Sequence, residues 1–485
     1  MGFFSFGKAA RTDKNSDVIA HAQRILAIVE SEIASAKGSR EKVFKKLVEV
    51  VFEDVLISQM FAGMKIRHTA MCGAVVKEAM EILGFETNDI QLMSYGDVDL
   101  PEEIEKVVFG IIDRAHDEHM ELLRHCGAGY DLTSRGAPEA RTALIEYYDK
   151  HYGFSHVQGL KELLSNQSTI VNGGMRALDD FAATFVHYAF TTKKRPRFIN
   201  PDNTFPTWIS VIKNHIFEAQ LGEIHSISTD PAARLHLSAD DVKTFYGAFS
   251  PDDTTDYMDI WCITPVGNPS GTAMTPQQLH ETCAKIVEHA PGAWILLDCA
   301  YIRTLTEKRA QALMKGIMRD ETIRNRIVFL ESFSKSHGLC GERIGCFFTT
   351  NSELYLVLQN YNTTVSSGNG RYKDALALAL AQPTERETEA LHELHHFWMK
   401  ERAGLFTYMM AEKFSDLFDK KQLHITEDQL KEPQGLYLFL KMKKEVDVKR
   451  VFLETKCLGV EMKMGSGNYI RFAVCKMKEP LFSKQ

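Results

Sequence analysis

The amino-acid sequence predicts an α/β fold. Three short apolar runs, at residues 260–263, 293–297 and 326–331, have the length and composition of buried strands. Each run is followed by a segment rich in polar and small residues. Because functional residues of α/β folds lie on loops that leave the sheet, we expect them directly after these runs.

The loop after the third run contains Lys335, with Ser332, Ser334 and Arg343 close to it in sequence. A lysine in a poorly solvated pocket loses proton affinity, and its neutral amine can form a Schiff base with an aldehyde. The two hydroxyls and the guanidinium would suit a phosphate. Together these groups indicate pyridoxal phosphate. The alternative is that Lys335 is a solvated surface lysine and the serines cap a turn.

The loops after the other two runs contain compatible side chains. Asp298 could pair with the protonated ring nitrogen of that cofactor. Tyr301 could donate a hydrogen bond to the phenolic oxygen of the ring, and Asn268 could be a second partner of the same oxygen. Taken alone, residues 264–272 favour an ordinary turn, because Asn, Pro, Ser and Gly are common in turns.

Three motifs stand in a fixed order along the chain. Asn-Pro-Ser-Gly occupies residues 268–271, Asp-x-Ala-Tyr occupies residues 298–301, and Ser-x-x-Lys-x-x-Gly-Leu-x-x-x-Arg-x-Gly occupies residues 332–345. Their order and spacing resemble those of the class I and II aminotransferases, which are fold-type I pyridoxal-phosphate enzymes of the aspartate aminotransferase superfamily. The resemblance covers about residues 90–480. It implies Lys335, Asp298 and Tyr301 as catalytic residues.

A glycine-containing turn before a predicted helix, at residues 171–178, resembles the phosphate-binding turn of that family. The resemblance implies that the backbone amides of Gly174 and Met175 bind the phosphate. A helix N-terminus favours an anion at this position. The resemblance also implies that Ser332, Ser334, Lys335 and Arg343 bind the cofactor.

Residues 201–208 resemble the segment whose aromatic residue stacks on the cofactor ring. This implies Phe205 as the stacking residue. A small insertion changes the spacing from the family pattern, so Trp208 is the alternative. An aromatic residue at such a position is otherwise typical of an ordinary core.

The resemblance also implies substrate contacts at Arg471, Gly96 and Asn268. Arg471 lies on a predicted strand, and a buried arginine needs an anionic partner, which would be the substrate α-carboxylate or a structural salt bridge. Tyr130 matches the tyrosine that reaches the phosphate of the neighbouring subunit. The expected assembly is therefore a homodimer with shared active sites.

The architecture that the resemblance implies is a fold-type I α/β enzyme. A large domain at residues 145–370 would contain a mostly parallel seven-stranded sheet flanked by helices. Residues 86–144 and 371–485 would form a smaller α/β domain. Residues 1–85 lie outside the resemblance and form a helical N-terminal extension.

Apolar residues of the extension recur at helical spacing and predict three helices. The first helix would have a cap at residues 15–17 and a stop at Gly38. Their apolar faces must be covered, and we favour packing against the catalytic core or across a dimer. A partner-binding or regulatory module is the alternative.

The function implied is the transfer of an amino group between an α-amino acid and a 2-oxo acid, through a Schiff base on Lys335. The same residues would also serve a pyridoxal-phosphate lyase or decarboxylase acting on an amino acid. A non-catalytic regulatory protein with this fold is a further alternative. The sequence does not identify the amino donor or the keto acceptor.

Net charge, cysteine content and the length of the apolar runs restrict which classes of protein the chain fits. The chain has 57 Lys and Arg residues against 64 Asp and Glu residues, which gives a formal net charge of −7. It therefore lacks the excess of basic residues that is typical of nucleic-acid-binding proteins. Nine scattered cysteines are typical of free thiols in a reducing compartment. No apolar run approaches the roughly 20 residues of a membrane span. We expect a cytoplasmic protein that binds neither nucleic acid nor membrane.

A separate segment with three histidines resembles a metal-binding motif. Residues 392–396 fit the His-Glu-x-x-His pattern of zinc proteases. Two imidazoles four residues apart on one helical face could share a zinc ion. No motif marks the further ligands, and the string falls on the long helix that the family resemblance implies. We therefore assign no metal.

Overall fold

The computed structural model of the chain describes residues 6–35, 39–61, 64–94, 98–126, 134–202, 204–205, 207–219, 222–230, 235–249, 256–366, 370–421, 423, 425, 427–464 and 467–483. Within these ranges, no helix combines the length and the apolar character that a membrane crossing requires. The cysteines that are described form no disulfide.

The structure is a mixture of helices and strands throughout. The strands are β1 (Gln91–Leu92), β2 (Ser168–Val171), β3 (Arg195–Pro201), β4 (Glu223–Ile227), β5 (Tyr257–Ile263), β6 (Trp294–Asp298), β7 (Ile327–Ser332), β8 (Gly345–Thr349), β9 (Tyr437–Lys441), β10 (Cys457–Leu458), β11 (Val460–Met464) and β12 (Gly467–Ala473). The α-helices are α1 (Phe6–Ile28), α2 (Glu30–Ser35), α3 (Arg40–Phe52), α4 (Val55–Met60), α5 (Lys65–Ile82), α6 (Glu102–Cys126), α7 (Pro138–Tyr152), α8 (Leu160–Asn166), α9 (Gly174–Thr191), α10 (Thr207–Ala219), α11 (Ala239–Gly247), α12 (Pro276–His289), α13 (Glu307–Arg319), α14 (Glu321–Arg324), α15 (Phe333–Ser336), α16 (Ser352–Ser366), α17 (Arg371–Ala381), α18 (Glu385–Met409), α19 (Glu427–Leu430) and α20 (Val448–Thr455).

The chain folds into two compact units, each assembled from separate segments. The first unit comprises Met1–Gly96, Leu405–Leu423 and Leu438–Lys476. The second unit comprises Asp97–Gly404, His424–Tyr437 and Met477–Gln485. The division into an extension, a small domain and a large domain stays a prediction.

The second unit is built around a seven-stranded sheet. Its strands stand in the order β2-β8-β7-β6-β5-β3-β4. Strand β8 is antiparallel to both of its neighbours, and all other neighbouring strands are parallel. This arrangement confirms the predicted α/β fold with a mostly parallel sheet flanked by helices.

Helix α9 covers one face of this sheet with an apolar surface. Phe181 and Phe185 from the helix pack with Phe198, Ile260 and Leu296 from the sheet, and all five are fully buried. Burial of large apolar side chains is the main favourable contribution to folding. Strands β5, β6 and β7 are buried almost along their whole length and are mostly apolar, which is typical of parallel strands, although β5 contains Asp259 and β7 contains Glu331.

The first unit contains the N-terminal helices together with two small sheets. Phe44 and Val48 of α3 share a buried core with Cys72 of α5, Phe452 of α20 and Leu458 of β10. The rings of Phe44 and Phe452 meet edge to face, with centroids 5.3 Å apart. The apolar faces of the N-terminal helices are therefore covered by later segments of the same unit.

One local prediction for this region is wrong. Helix α1 begins at Phe6, so residues 15–17 lie inside the helix and do not cap it. Helices α3 and α4 are separated at residues 53–54, and the Asp54 side chain caps α4 by accepting a hydrogen bond from the Ile57 amide at 3.0 Å. Arg24 of α1 donates two hydrogen bonds to the same carboxylate, at 2.7 and 2.8 Å. The predicted stop at Gly38 lies outside the described residues.

Candidate functional site

A cavity of about 210 Å³ lies in the second unit, beyond the carboxyl ends of β2, β3, β5, β6 and β7. This edge of an open α/β sheet is where ligands bind, because the loops there converge on one space. The cavity is lined by Gly174, Met175, Leu178, Phe205, Trp208, Thr264, Asn268, Asp298, Ala300, Tyr301, Leu330, Ser332, Ser334, Lys335, Cys340 and Arg343.

One end of the cavity has the features of an anion site. Gly173 precedes α9 with a φ of +82°, a conformation that glycine adopts without strain. A Cβ atom on Gly173 would lie 2.7 Å from a terminal nitrogen of Arg343, and one on Gly174 would lie 3.3 Å from the Ser332 Cβ. The first amides of a helix lack partners within that helix and attract anions. The close approach therefore brings amides, hydroxyls and a guanidinium to one point.

Lys335 lies on the short helix α15, which begins directly after β7. Ser332 caps this helix, since its Oγ accepts a hydrogen bond from the Ser334 amide at 3.3 Å. The Nζ atom of Lys335 lies 3.7 Å from the Sγ atom of Cys340, and that thiol donates to the Ser334 carbonyl at 2.9 Å. Lys335 is half-buried. Its amine therefore lies in the wall of the cavity, next to the anion site.

A buried ion pair holds both ends of α15. Arg303 contacts Glu331, the residue before Ser332, with a nitrogen–oxygen distance of 2.5 Å. It also donates to the Ser332 carbonyl at 2.7 Å and to the Ser336 hydroxyl at 3.2 Å. Tyr152 donates to the second oxygen of Glu331 at 2.6 Å. Buried charges are tolerated when their hydrogen bonds are satisfied, and this network fixes the segment that carries Lys335.

The segment at residues 392–396 contacts the helix that carries Lys335. His395 contacts the Ser336 carbonyl through its Nε2 at 2.9 Å. His337 contacts the Ser336 hydroxyl through its Nδ1 at 2.8 Å. Burial lowers the pKa of His395 to about 4, so its imidazole is neutral at neutral pH. No group of potential ligands in the described ranges could hold a metal ion.

Asp298 ends β6 at the floor of the cavity. Burial raises the pKa of its carboxyl to about 6, while hydrogen bonds from the Ala300 amide and the Trp208 side chain oppose this increase. The amide donates to Oδ1 at 3.0 Å. Within the part of the chain that the structure describes, Asp298 forms no salt bridge. A buried carboxylate of this kind would be stabilised by a cationic group of a bound ligand.

Both aromatic candidates for stacking line the cavity. Phe205 is half-buried, whereas Trp208 is fully buried and is hydrogen bonded to Asp298. Of the two candidates, Phe205 is the more exposed ring, and Trp208 is the one whose side chain is also bonded to Asp298. The assignment of Phe205 as the stacking residue stays a prediction.

Asn268 and Tyr301 both line the cavity and contact each other. The Asn268 side-chain amide donates to the Tyr301 hydroxyl at 3.0 Å. That hydroxyl lies 3.1 Å from the hydroxyl of Tyr437, the first residue of β9. All three side chains are buried. The two predicted partners of the cofactor's phenolic oxygen therefore contact each other before any ligand binds.

The structure brings most of the predicted site residues to this one cavity. They are Gly174, Met175, Phe205, Asn268, Asp298, Tyr301, Ser332, Ser334, Lys335 and Arg343. Arg471 belongs to the first unit, where it is buried on β12 and donates to the Ser94 carbonyl at 3.2 Å. Gly96 and Tyr130 lie outside the described residues, so their predicted roles stay predictions.

Sequence reasoning missed several residues at or near the cavity. Cys340 stands inside the lysine motif but at an unspecified position, so the motif gave it no role. Arg303 follows Tyr301 by two residues, and its partner Glu331 ends an apolar run. A charged residue inside a run that otherwise predicts a buried strand was the available signal for such a pair. Tyr437 lies far along the chain, and nothing in its local pattern marked it.

Comparisons with known proteins agree with this geometry. The family described as "Aminotransferase class I and II" matches residues 114–478. Histidinol-phosphate aminotransferase from Staphylococcus carnosus is 24% identical over 207 residues, which are 42% of this chain and 49% of that protein. The match thus spans about half the length of this curated relative.

Two solved structures share the fold at low sequence identity. Aspartate aminotransferase from Thermotoga maritima has a TM-score of 0.60 and 16% identity, with 84% of this chain and 92% of that chain covered. Aspartate aminotransferase from Thermus thermophilus, solved with maleate, has a TM-score of 0.60 and 13% identity, with 88% and 96% covered.

Proposed function

The chain belongs to the class I and II aminotransferase family, and from this premise we propose that it is a pyridoxal-phosphate-dependent aminotransferase. The observation that carries the proposal is the convergence of Lys335, Asp298 and the Asn268–Tyr301 pair on one cavity with an anion site at its end. The proposed reaction transfers an amino group between an α-amino acid and a 2-oxo acid.

The residues around the cavity fit pyridoxal phosphate. The start of α9, Ser332, Ser334 and Arg343 would hold its phosphate, and added Cβ atoms at Gly173 and Gly174 would crowd Arg343 and Ser332. Asp298 would pair with its ring nitrogen, which supplies the cation that this buried carboxylate lacks among the described residues. When bound, the group supplies an aldehyde that condenses with amines and a ring that accepts electrons.

The chain's own side chains then perform the proton transfers. Lys335 Nζ would remove the proton from the α-carbon of the substrate as a general base, and would deliver it again as a general acid. Its side chain is half-buried in the cavity wall, within reach of a group bound there. Asp298 would stabilise the charge that develops on the ring side during this step.

The substrate α-carboxylate is assigned to Arg471 on the resemblance alone. Arginine suits this role because its planar fork matches a carboxylate. The resemblance likewise supports a homodimer in which Tyr130 reaches the partner's phosphate site. A cytoplasmic location is proposed from the cysteines, since those that are described form no disulfide.

The test is the absorption spectrum of the protein loaded with pyridoxal phosphate, while common amino acids are added one at a time. We expect one or more amino acids to convert the visible band into the band of pyridoxamine phosphate, with one keto acid released per site. Release of carbon dioxide or ammonia without pyridoxamine phosphate would contradict the proposal and indicate a decarboxylase or lyase. A band that no amino acid converts would indicate a non-catalytic protein.

Affinity for the cofactor should depend on pH through Asp298. With a pKa of about 6, this carboxyl is mostly protonated below that pH and mostly ionised above it. Only the ionised form pairs with the protonated ring, so we expect the affinity to increase about tenfold between about pH 5 and about pH 7. The measurement is a binding titration by absorbance at each pH. Asp298→Asn should bind more weakly and lack this increase; an equal increase in the variant would contradict the assignment.

A further inference from the structure

Tyr437 contacts Tyr301, which lines the cavity, but does not line the cavity itself. Its side chain is fully buried, with 1% of its surface exposed, and it is not one of the described residues that line the cavity. Its hydroxyl lies 3.1 Å from the Tyr301 hydroxyl, and the two rings meet edge to face at 5.8 Å. Tyr437 therefore contacts the site through Tyr301.

The backbone around Tyr437 is held closely against the loop that carries Asn268. Gly271, with a φ of +66°, lies so near the Tyr437 carbonyl that an added Cβ would overlap it. Arg402, from α18, donates to the Gly271 carbonyl at 2.8 Å and also to the Gln434 carbonyl. Because the Tyr437 backbone is held against Gly271 and its ring is buried, the Tyr437 hydroxyl has little freedom to move away from Tyr301.

The hydrogen bonds around Tyr301 restrict which hydroxyl donates. A tyrosine hydroxyl has one proton to donate and oxygen lone pairs to accept. Tyr301 already accepts from the Asn268 amide at 3.0 Å. When Tyr301 directs its own proton into the cavity, the proton between the two hydroxyls must come from Tyr437. In this arrangement Asn268 and Tyr437 both donate to the Tyr301 hydroxyl, and Tyr301 donates into the cavity.

We propose that Tyr437 is a positioning residue for the cofactor, whose hydroxyl donates to Tyr301 and so directs the Tyr301 proton toward the phenolic oxygen of pyridoxal phosphate. The inference rests on the proposed function and extends it to a residue outside the cavity lining. Hydrogen bonds in a chain polarise one another, so the bond from Tyr437 strengthens the bond that Tyr301 donates.

The charge state of the bound cofactor reports this effect. Donors to the phenolic oxygen stabilise its negative charge, and this favours loss of the neighbouring proton from the lysine-linked nitrogen. The described charged or titratable groups around Tyr301 at the cavity are Asp298, Lys335, Cys340 and Arg343, and Tyr437 lies behind it. These other groups stay unchanged in a substitution of Tyr437 by phenylalanine. A shift in the pH midpoint of the visible absorption change therefore reports the loss of the Tyr437 hydroxyl alone.

The experiment compares the cofactor-loaded wild type with Tyr437→Phe, which removes one oxygen from a packed ring. We expect the pH midpoint of the visible absorption change to rise by about 0.3 pH unit, because a polarising hydrogen bond is lost. Tyr246→Phe is the matched control. Its buried hydroxyl donates to Asp259 at 2.8 Å, away from the cavity lining, so its midpoint should match the wild type.

A double substitution separates this role from general packing. Tyr301→Phe removes the direct donor and should raise the midpoint by about 1 pH unit. Adding Tyr437→Phe to that variant should change nothing further, because the hydroxyl acts only through Tyr301. An unchanged midpoint in Tyr437→Phe, or the same shift with and without Tyr301, would overturn the inference while the proposed function stands. A wild type with no visible band would overturn the proposed function and the inference with it.

Discussion

Replacing Lys335 by alanine should reduce transamination by about 10⁴-fold or more, because the change removes both the amine that links the cofactor and the general base. The fold should be preserved. The segment that carries Lys335 is held by hydrogen bonds from Arg303 and by the Ser332 cap, and neither involves the Lys335 side chain. The measurements are kcat with the amino donor found in the spectral titration and the urea midpoint of unfolding.

Lys308→Ala is a suitable control for the loss of a positive charge. Lys308 is exposed on α13 and does not line the cavity, so its removal should leave kcat unchanged. Retained turnover in Lys335→Ala, together with a wild-type visible spectrum, would contradict the assignment of Lys335. A urea midpoint of Lys335→Ala well below that of the wild type would contradict the expectation that the fold is preserved.

The largest expected effect on stability comes from Arg303→Met. This change leaves the Glu331 carboxylate buried without its cationic partner, and breaking a buried ion pair on one side costs about 3–5 kcal/mol. It also removes the donors to the Ser332 carbonyl and the Ser336 hydroxyl. We expect a corresponding fall in the free energy of unfolding, measured by urea denaturation of the cofactor-free protein.

Two further variants test the physical reason. The double variant Arg303→Met with Glu331→Leu removes both charges and should recover part of the loss, because no uncompensated charge stays buried. Arg195→Met breaks the exposed pair with Glu223, whose side chains are 53% and 32% exposed, and should cost about 0–1 kcal/mol. If Arg303→Met cost no more than Arg195→Met, the buried pair would not stabilise the protein.

Most of the candidate site could be predicted because its chemistry requires particular residue types at fixed separations. Lys335, Asp298 and Asn268 each follow an apolar run, and parallel strands bring their carboxyl ends to one edge. The mostly parallel sheet followed from the same runs and from the family resemblance. These features are local in sequence, or are repeated by the whole family.

Other features depend on contacts between distant parts of the chain, and no local pattern reveals them. Tyr437 reaches Tyr301 across 136 residues, and Arg303 reaches Glu331 across 28. The start of α1 was wrong for a related reason. Residues 15–17 favour a helix cap, but α1 continues through them to Phe6, so a propensity that is only a weak preference did not decide the helix boundary.

The shared core of the first unit has a consequence for how the protein is made. Phe44 packs against Phe452, which leaves the ribosome about 400 residues later. At typical rates of synthesis, this interval is on the order of 20–80 s. During that time the N-terminal helices expose apolar faces that cannot yet be buried against α20 and β10. The nascent chain therefore needs protection at its beginning, and a prematurely terminated chain would be prone to aggregate through these helices.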